Sequence, residues 1–324
     1  MKVIETYQKQ FTEFLKSYNF SREPESLYKP IDYILRLGGK RLRPVLTLMT
    51  TACFNVDVNR AMSAALAVEV FHNFSLIHDD IMDAAPLRRG KETVHEKWDL
   101  NTGILSGDAM LIKAYQLFEK YPPATFRELA KLFSKTALEV CEGQQYDIDF
   151  ETRTKVSINE YLKMIEYKTA VLVGAAMKMG AIVANASTED QDRCYEFGKN
   201  LGIAFQLQDD YLDAFGNPET FGKQVGGDIL ENKKTYLYLK AIENGSPEIC
   251  SQLTQLFLSS SKNTDNKVSK TIELYVKAES NLATKKAISF YTKAAFDVLE
   301  KINMSSSNKQ MLKAFGMELM TRDV

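Results

Sequence analysis

The distribution of proline constrains the fold of this 324-residue chain more than any other feature. None of its 8 prolines lies between Pro123 and Pro218, and none follows Pro247. Because proline interrupts helix interiors, proline-free stretches with apolar residues spaced by three and four predict successive long helices. No region alternates polar and apolar residues between tight-turn pairs, so no sheet is expected. The pattern predicts an all-α protein.

Breaks between helices are expected at short segments rich in glycine, proline or asparagine. They are residues 38–39, 55–57, 86–90, 122–123, 217–218 and 259–266. None of them is typical of a domain linker, and the chain contains no short-period repeat. Residues 1–324 are therefore predicted to form one domain.

Composition excludes several function classes. Lys plus Arg (41) nearly balances Asp plus Glu (42), so nucleic-acid binding is not expected. The four cysteines have no CxxC spacing, which is typical of reduced thiols in a cytoplasmic protein. The most membrane-like stretch, 169–186, contains Lys178 and is short for a span, so it is predicted to be a buried helix. No signal peptide or transmembrane segment is expected.

Two acidic clusters of identical form indicate the chemistry. Residues 79–83 and 209–213 each have aspartates at i, i+1 and i+4. With 18 aspartates in the chain, chance gives only about 0.05 such clusters. One cluster alone would indicate a solvated helix turn, but both follow apolar runs, where solvated acidic faces are rare. Clustered carboxylates suit Mg²⁺, which usually brings a phosphate with it, so we expect two acidic walls facing one cavity.

The expected helices give each cluster a polar stripe. On a helix from about 61 to 83, His72, Asp79 and Asp83 share a face. On the second helix the stripe is formed by Gln206, Asp209, Asp210 and Asp213. A buried carboxylate without a counter-charge is costly, and the first cluster also lies near a helix C-terminus, where the dipole disfavours negative charge. Metal binding would relieve both costs.

Basic residues accompany both acidic clusters. Residues 38–44 read GGKRLRP, and residues 87–90 read LRRG. Later basic positions are Lys168, Lys223 and the pair Lys233-Lys234. Each alone indicates a surface charge, but glycines permit close backbone approach, and Lys with Arg binds phosphate. Together they predict two anion pockets, one bridged by metal and one purely basic.

These segments make the chain resemble the trans-isoprenyl diphosphate synthases, or polyprenyl synthases. The matching segments are GGKRLRP (38–44), HNFSLIHDDIMD (72–83), LRRG (87–90), TVH (93–95), GDAML (107–111), EGQQYDI (142–148), EYKTA (166–170), FQLQDDYLD (205–213) and GKQVGGDILENKKT (222–235). The resemblance implies an isoprenoid-synthase-type helical bundle around a deep central cavity, acting as a homodimer. Members join isopentenyl diphosphate head to tail to dimethylallyl, geranyl or farnesyl diphosphate through ionisation, alkene attack and proton loss.

The resemblance also implies residue roles. Asp79, Asp83 and Asp209 would ligate Mg²⁺, with three ions expected per active site. Asp80, Asp210 and Asp213 would support them. The allylic diphosphate would be held by Arg88, Lys168, Lys223 and Lys233, with Thr169 and Gln206 lining the reaction centre. The isopentenyl diphosphate pocket would consist of Lys40, Arg43, His72 and Arg89.

Product length in this family is commonly set by bulk beneath the first acidic cluster. Phe74 lies five residues before Asp79, Phe71 lies one turn lower, and Ser75 stands where farnesyl-type enzymes often have a second aromatic. Ordinary core packing is the alternative for both phenylalanines. We expect a C20 product, with C15 next.

Three alternatives stay open on sequence grounds. They are a class I terpene cyclase, a non-catalytic or regulatory partner subunit of a prenyl synthase, and a calcium-binding or structural helical bundle. The chain departs from the family pattern at Pro86, at Asn232, where glycine is usual, and at Tyr236-Leu237. None of these departures removes an expected metal ligand.

Overall fold

The computed structural model describes residues 2–217, 226–258 and 264–321, and they are almost wholly helical. The α-helices of these residues are α1 (Lys2–Ser17), α2 (Glu25–Arg36), α3 (Leu42–Cys53), α4 (Met62–Met82), α5 (Val94–Lys97), α6 (Leu100–Phe118), α7 (Pro123–Thr152), α8 (Ile158–Ile165), α9 (Val171–Val183), α10 (Thr188–Phe215), α11 (Gly227–Leu230), α12 (Tyr236–Asn244), α13 (Pro247–Leu258), α14 (Thr264–Lys277), α15 (Ser280–Leu299) and α16 (Ser306–Met320). A 3₁₀ turn covers Val58–Ala61, and a π-helical turn covers Glu166–Ala170. The predicted all-α class is confirmed.

The expectation of no sheet was wrong at one hairpin. Strands β1 (Leu87–Arg88) and β2 (Lys91–Glu92) pair antiparallel. Between them, Arg89 and Gly90 both have positive φ, at 53° and 72°, as a tight hairpin turn requires. Strands of two residues are too short to produce a detectable alternation of polar and apolar residues.

Side-chain caps fix the start of several helices. The Asp99 carboxylate accepts a hydrogen bond from the Thr102 backbone N–H at 2.9 Å, at the start of α6. At the start of α8, Ser157 and Glu160 form a reciprocal capping box. Such caps satisfy backbone donors that have no partner within the helix.

The chain divides into two compact units. Unit 1 comprises Met1–Ser134 and Ala175–Cys194, and unit 2 comprises Lys135–Gly174 and Tyr195–Val324. The single-domain prediction is not tested by this division and stays a prediction. The expectation that both acidic clusters face one cavity also stays a prediction.

Helix α4 forms the centre of unit 1, where it packs against α3 and α6. Its side chains from Ala64 to Phe71 are buried. A Cβ on Gly107 of α6 would lie only 2.3 Å from Nε2 of His78 on α4, so the glycine permits the close approach of the two helices. The predicted helix at about 61–83 is therefore confirmed as a core helix.

Unit 2 has its own apolar core. It is built on side chains from α8, α10, α12 and α14, among them Ile165, Leu207, Leu237 and Tyr275. The stretch predicted to be a buried helix contains α9, which is buried at every position except the partly exposed Lys178. None of the described helices is both long and apolar enough to cross a membrane. All four cysteines are free.

Candidate active site

The first acidic cluster lies at the C-terminal end of α4. The helix ends at Met82, and the Asp83 N–H donates to the Asp79 carbonyl at 2.9 Å, so these two residues are one turn apart. The Asp80 side chain is 1% exposed, the Asp79 side chain is 21% exposed, and Asp83 is exposed. The structure therefore separates one buried carboxylate from two that solvent reaches.

The buried Asp80 is held by the hairpin. Nε of Arg88 on β1 donates to both carboxylate oxygens of Asp80 at 2.8 Å, and the guanidinium also lies 3.7 Å from an oxygen of Asp79. Burial raises the pKa of Asp80, and the Arg88 guanidinium opposes that rise. A forked Arg–carboxylate pair of this kind is strong and directional. Arg88 therefore fixes the hairpin against the end of α4.

The turn of the hairpin carries Arg89 to the two glycines that precede α3. Nη1 of Arg89 donates to the Gly38 carbonyl. A Cβ on Gly39 would lie 2.7 Å from the guanidinium carbon of Arg89, and Gly39 has φ +116°. Only glycine combines that backbone conformation with so close a neighbour. The glycine pair thus positions Arg89 beside residues 40–43.

His72 on α4 lies against Arg43 on α3, with Nη1 of Arg43 3.2 Å from Nε2 of His72. Arginine only donates, so Nε2 accepts and the ring is neutral, with its proton on Nδ1. Burial lowers the pKa of His72 well below its ordinary value, and four nearby arginines, Arg43 foremost, lower it further. Nε of Arg43 is buried and has no hydrogen-bond acceptor among the described residues. The site holds positive charge with spare donors, which suits an anion.

A buried ion pair lies beside this basic cluster. Arg41 pairs with Glu69 of α4, and its guanidinium also donates to the Leu35 carbonyl. Asn73 donates to the Glu69 carboxylate at 3.0 Å. Both partners of the pair are at least nine-tenths buried. Arg41 is therefore structural, whereas Lys40 next to it is exposed.

The candidate product-length residues lie in an aromatic cluster of unit 1. Phe71 is fully buried, with its ring 5.1 Å from that of Phe133 and 5.4 Å from that of Phe74. Phe74 is 8% exposed, and the partly exposed Ser75 donates to the His72 carbonyl at 2.8 Å. Core packing explains Phe71, whereas Phe74 retains some accessible surface. Their effect on product length stays a prediction.

The second acidic cluster lies near the C-terminal end of α10. Its middle residue, Asp210, is buried and accepts hydrogen bonds from the Tyr161 hydroxyl and, at 3.1 Å, from Nε2 of Gln206. The Thr169 hydroxyl donates to Oε1 of Gln206 at 3.2 Å. Burial and the nearby Asp228 raise the pKa of Asp210, and the hydrogen bonds from Tyr161 and Gln206 oppose that rise. Thr169 and Gln206, predicted together from sequence, are thus hydrogen-bonded partners.

The other two carboxylates of this cluster are partly exposed. Asp213 accepts a hydrogen bond from the Asp228 backbone N–H at 3.0 Å, so it caps the first turn of α11. Asp209 keeps partial access to solvent, as a metal ligand requires. Each cluster therefore has a buried middle aspartate and more accessible residues on either side of it.

Lys168 lies on the π-helical turn, and its ammonium donates to the Asp147 carboxylate of α7. A Cβ on Gly143 of α7 would lie 2.2 Å from the Lys168 backbone nitrogen. On α10, a Cβ on Gly202 would lie 2.7 Å from Cα of Ala170. Because Gly143 and Gly202 have no side chains, α7 and α10 can both lie close to the π-helical turn. Single π-helical turns often mark functional sites.

The segment from Gly226 to Thr235 supplies further basic groups. Lys233 forms an ion pair with Glu231 at 2.7 Å, and Lys234 donates to the Phe150 carbonyl at 2.8 Å. Asn232 has φ +59°, which asparagine tolerates better than most residues and which explains why it replaces glycine. Its side-chain oxygen accepts from Lys267. Lys223 lies outside the described residues.

These groups of unit 2 line an open pocket of about 130 Å³. The predicted residues in its wall include Lys168, Thr169, Gln206 and Lys233. Sequence reasoning missed several polar wall residues, among them Asp147, Tyr161 and Asp228. Asp147 and Asp228 fall inside the motif segments and could have been found there. No sequence pattern pointed to Tyr161, because a tyrosine on a buried helix face is indistinguishable in sequence from an ordinary core residue.

A Mg²⁺ site needs oxygen donors that water and substrate phosphate can also reach. No group of three or more His, Cys, Asp or Glu side chains in the described parts of the chain forms a ready metal cage. Magnesium usually takes only one or two carboxylates, the rest of its ligands being water and substrate phosphate. Asp79 with Asp83, one turn apart and reached by solvent, matches that requirement in unit 1, and partly exposed Asp209 matches it in unit 2. The donors present fit a magnesium ion that arrives with a diphosphate.

Comparison with known proteins gives consistent results. The polyprenyl synthetase family profile matches residues 24–275. A geranylgeranyl diphosphate synthase of Methanosarcina mazei is 44% identical over 224 residues, covering 68% of this chain and 69% of its own. A geranylfarnesyl diphosphate synthase of Natronomonas pharaonis is 40% identical over 245 residues, covering 69% and 71%. A crystal structure of a geranylgeranyl pyrophosphate synthase matches with a TM-score of 0.95 at 54% identity, covering 99% of each chain.

Proposed function

This chain belongs to the polyprenyl synthetase family, and we propose that it joins isopentenyl diphosphate head to tail with an allylic diphosphate. It is a prenyltransferase that makes a short-chain all-trans prenyl diphosphate, with C20 favoured and C15 next. The names of its relatives, geranylgeranyl and geranylfarnesyl diphosphate synthase, support a product in this range.

The observation that carries the proposal lies within unit 1. Helix α4 bears the accessible carboxylate Asp79, with Asp83 as its C-cap, and, seven residues before Asp79, the neutral His72 of the basic cluster. Seven helical residues span about 10 Å. Two chemically different diphosphate sites at that spacing are what a condensation of two diphosphate substrates needs. A calcium-binding or structural bundle leaves the basic cluster unexplained.

We assign Asp79 and Asp83 of unit 1 and Asp209 of unit 2 as ligands of Mg²⁺, with three ions per active site. When bound, Mg²⁺ supplies Lewis-acid stabilisation of the departing diphosphate. Asp80 is too enclosed by Arg88 to be more than a support, and Asp210 and Asp213 are likewise engaged by protein donors.

The basic side chains stabilise the charge that develops on the departing diphosphate. Lys168, Lys233 and Arg88, with Lys223 outside the described residues, are proposed to bind its oxygens. Each of the first three is paired with a carboxylate in the structure. Substrate binding would exchange the carboxylates on Lys168 and Lys233 for phosphate oxygens, while Arg88 keeps its pair with the buried Asp80. Electrostatic stabilisation of this kind is usually the largest contribution to catalysis.

The reaction centre is assigned to Thr169 and Gln206. As the allylic C–O bond breaks, the carbon end becomes a cation, and the oxygens of these two side chains stabilise it as dipoles. The alkene of isopentenyl diphosphate then attacks that carbon, forming the new C–C bond. Loss of a proton from the resulting cation to the released diphosphate restores an alkene. No side-chain nucleophile is required.

The purely basic site is proposed to bind isopentenyl diphosphate through Lys40, Arg43, His72 and Arg89. Neutral His72 can donate from Nδ1, and the buried Nε of Arg43 adds a donor that no described residue uses. The bond to this diphosphate is not broken in the reaction, so its site needs charge without a metal.

We also propose a cytoplasmic homodimer. Four free cysteines suit a reducing compartment. Helix α6 exposes Leu100, Ile104, Leu105 and Ile112 at 39–59% of their surface, and a second copy of the chain would cover them.

The proposed function is tested by following labelled isopentenyl diphosphate into prenyl product while Mg²⁺ is titrated. Wild type should require both substrates and Mg²⁺. Asp79→Ala should lose activity by several orders of magnitude, whereas Asp297→Ala, which removes an exposed carboxylate on α15, should not. Equal loss in the two variants, or metal-independent activity, would contradict the assignment.

A further inference from the structure

Tyr161 of α8 is a buried tyrosine whose hydroxyl serves an acidic residue of the second cluster. It is 3% exposed, and its hydroxyl donates to Oδ2 of Asp210, which is itself 5% exposed. Its ring also packs against that of Tyr236, with centroids 6.3 Å apart. The apolar part of Tyr161 therefore belongs to the core, while the hydroxyl has a separate, directed contact.

That contact continues into the reaction centre. The other oxygen of Asp210 accepts from Nε2 of Gln206 at 3.1 Å, and Oε1 of Gln206 accepts from the Thr169 hydroxyl at 3.2 Å. Three elements are linked in this way: α8, α10 and the π-helical turn. The carboxylate has two oxygens, and one donor occupies each.

The order of these bonds decides which way the Gln206 amide faces. Because the oxygens of an ionised Asp210 only accept, the N–H₂ of Gln206 points at Asp210 and its carbonyl oxygen points at Thr169. An amide flipped by 180° would place a nitrogen beside the reaction centre, where an oxygen dipole is needed to stabilise a cation. Asp210 holds this orientation only while its own carboxylate cannot rotate.

We propose that Tyr161 is a positioning residue for the condensation: by fixing the Asp210 carboxylate, its hydroxyl keeps the Gln206 carbonyl oxygen directed at the reaction centre. Arg88 holds the corresponding aspartate of the first cluster with a full positive charge. Tyr161 orients Asp210 without adding a cation beside the carbocation. The inference rests on the proposed function.

The test compares Tyr161→Phe with Tyr236→Phe. The first removes the hydroxyl and keeps the packed ring, and the second removes the hydroxyl of the neighbouring ring, which takes no part in the chain of bonds. Tyr161→Phe should lower kcat at least tenfold while the KM of each substrate changes less than twofold. Tyr236→Phe should leave both parameters near wild type, and thermal melting of each variant checks folding.

A double-variant cycle distinguishes positioning from a general structural role. If Tyr161 acts through Asp210, the kcat of Tyr161→Phe/Asp210→Asn should equal that of Asp210→Asn alone. Additive losses in the double variant would overturn the inference, as would an unchanged kcat or a change confined to KM in Tyr161→Phe. The proposed function would still stand in each case, because wild type would be active. Wild type that is folded yet inactive would overturn the proposed function, and this inference with it.

Discussion

Alanine at Gly39 should displace Arg89, and the size of the effect follows from the structure. The added Cβ would lie 2.7 Å from the guanidinium carbon, whereas ordinary contact begins at 3.4 Å. The guanidinium must therefore retreat by about 0.7 Å, the difference between those two distances. Losing a hydrogen bond from a charged group costs about 1.5–3 kcal/mol, and 1.4 kcal/mol is a factor of ten in binding. We expect the KM for isopentenyl diphosphate to rise about tenfold or more.

Gly38→Ala is the matched control for this prediction. Gly38 also has positive φ, at +87°, but no described residue lies within 4 Å of its added Cβ. Both variants therefore carry backbone strain of roughly 1–3 kcal/mol and should lower the melting temperature similarly. Steady-state kinetics should show the KM increase for isopentenyl diphosphate in Gly39→Ala alone, with the allylic KM unchanged. An equal increase in both variants, or none in Gly39→Ala, would refute the assignment of Arg89.

Three further predictions concern stability, product length and catalysis. Arg41→Met leaves Glu69 buried without its counter-charge, so chemical denaturation should show a loss of about 3–5 kcal/mol, and Arg41→Met/Glu69→Leu should recover part of it. Phe74→Ala should lengthen the product in chromatographic sizing, whereas Phe71→Ala should chiefly lower the melting temperature, and an unchanged product from Phe74→Ala would contradict its role. Gly143→Ala should push α7 away from the π-helical turn. Because a misplacement of 1 Å can lower the rate about 10²-fold, kcat/KM should fall by about that factor. Near-normal kcat/KM would contradict this prediction.

The helical class and the core helix bearing His72 and Asp79 could be predicted because proline and apolar spacing report directly on backbone periodicity. The resemblance implied that Thr169 and Gln206 both line the reaction centre, and the structure shows that they are hydrogen-bonded to each other. The two-residue strands at Arg88 could not be predicted, since they are shorter than one full alternation.

Other features depend on contacts between distant positions. In the sequence, Arg41 and Arg43 are both cations that follow a glycine pair. Only the structure shows that Arg41 is neutralised by Glu69, 28 residues away. Tyr161 and Asp210 are 49 residues apart, so no local pattern connects them. Gly143 lies within a motif of the family. Only the structure shows why glycine is needed there, because the Lys168 backbone lies too close for a side chain.

The central claim is tested most directly by the size of the product. Purified protein would be incubated with Mg²⁺, isopentenyl diphosphate and farnesyl diphosphate, and the dephosphorylated product identified by mass spectrometry. The account predicts a linear C20 alcohol that forms only when both substrates are present. A cyclic hydrocarbon formed from farnesyl diphosphate alone, or no product from folded protein that binds both diphosphates, would contradict it.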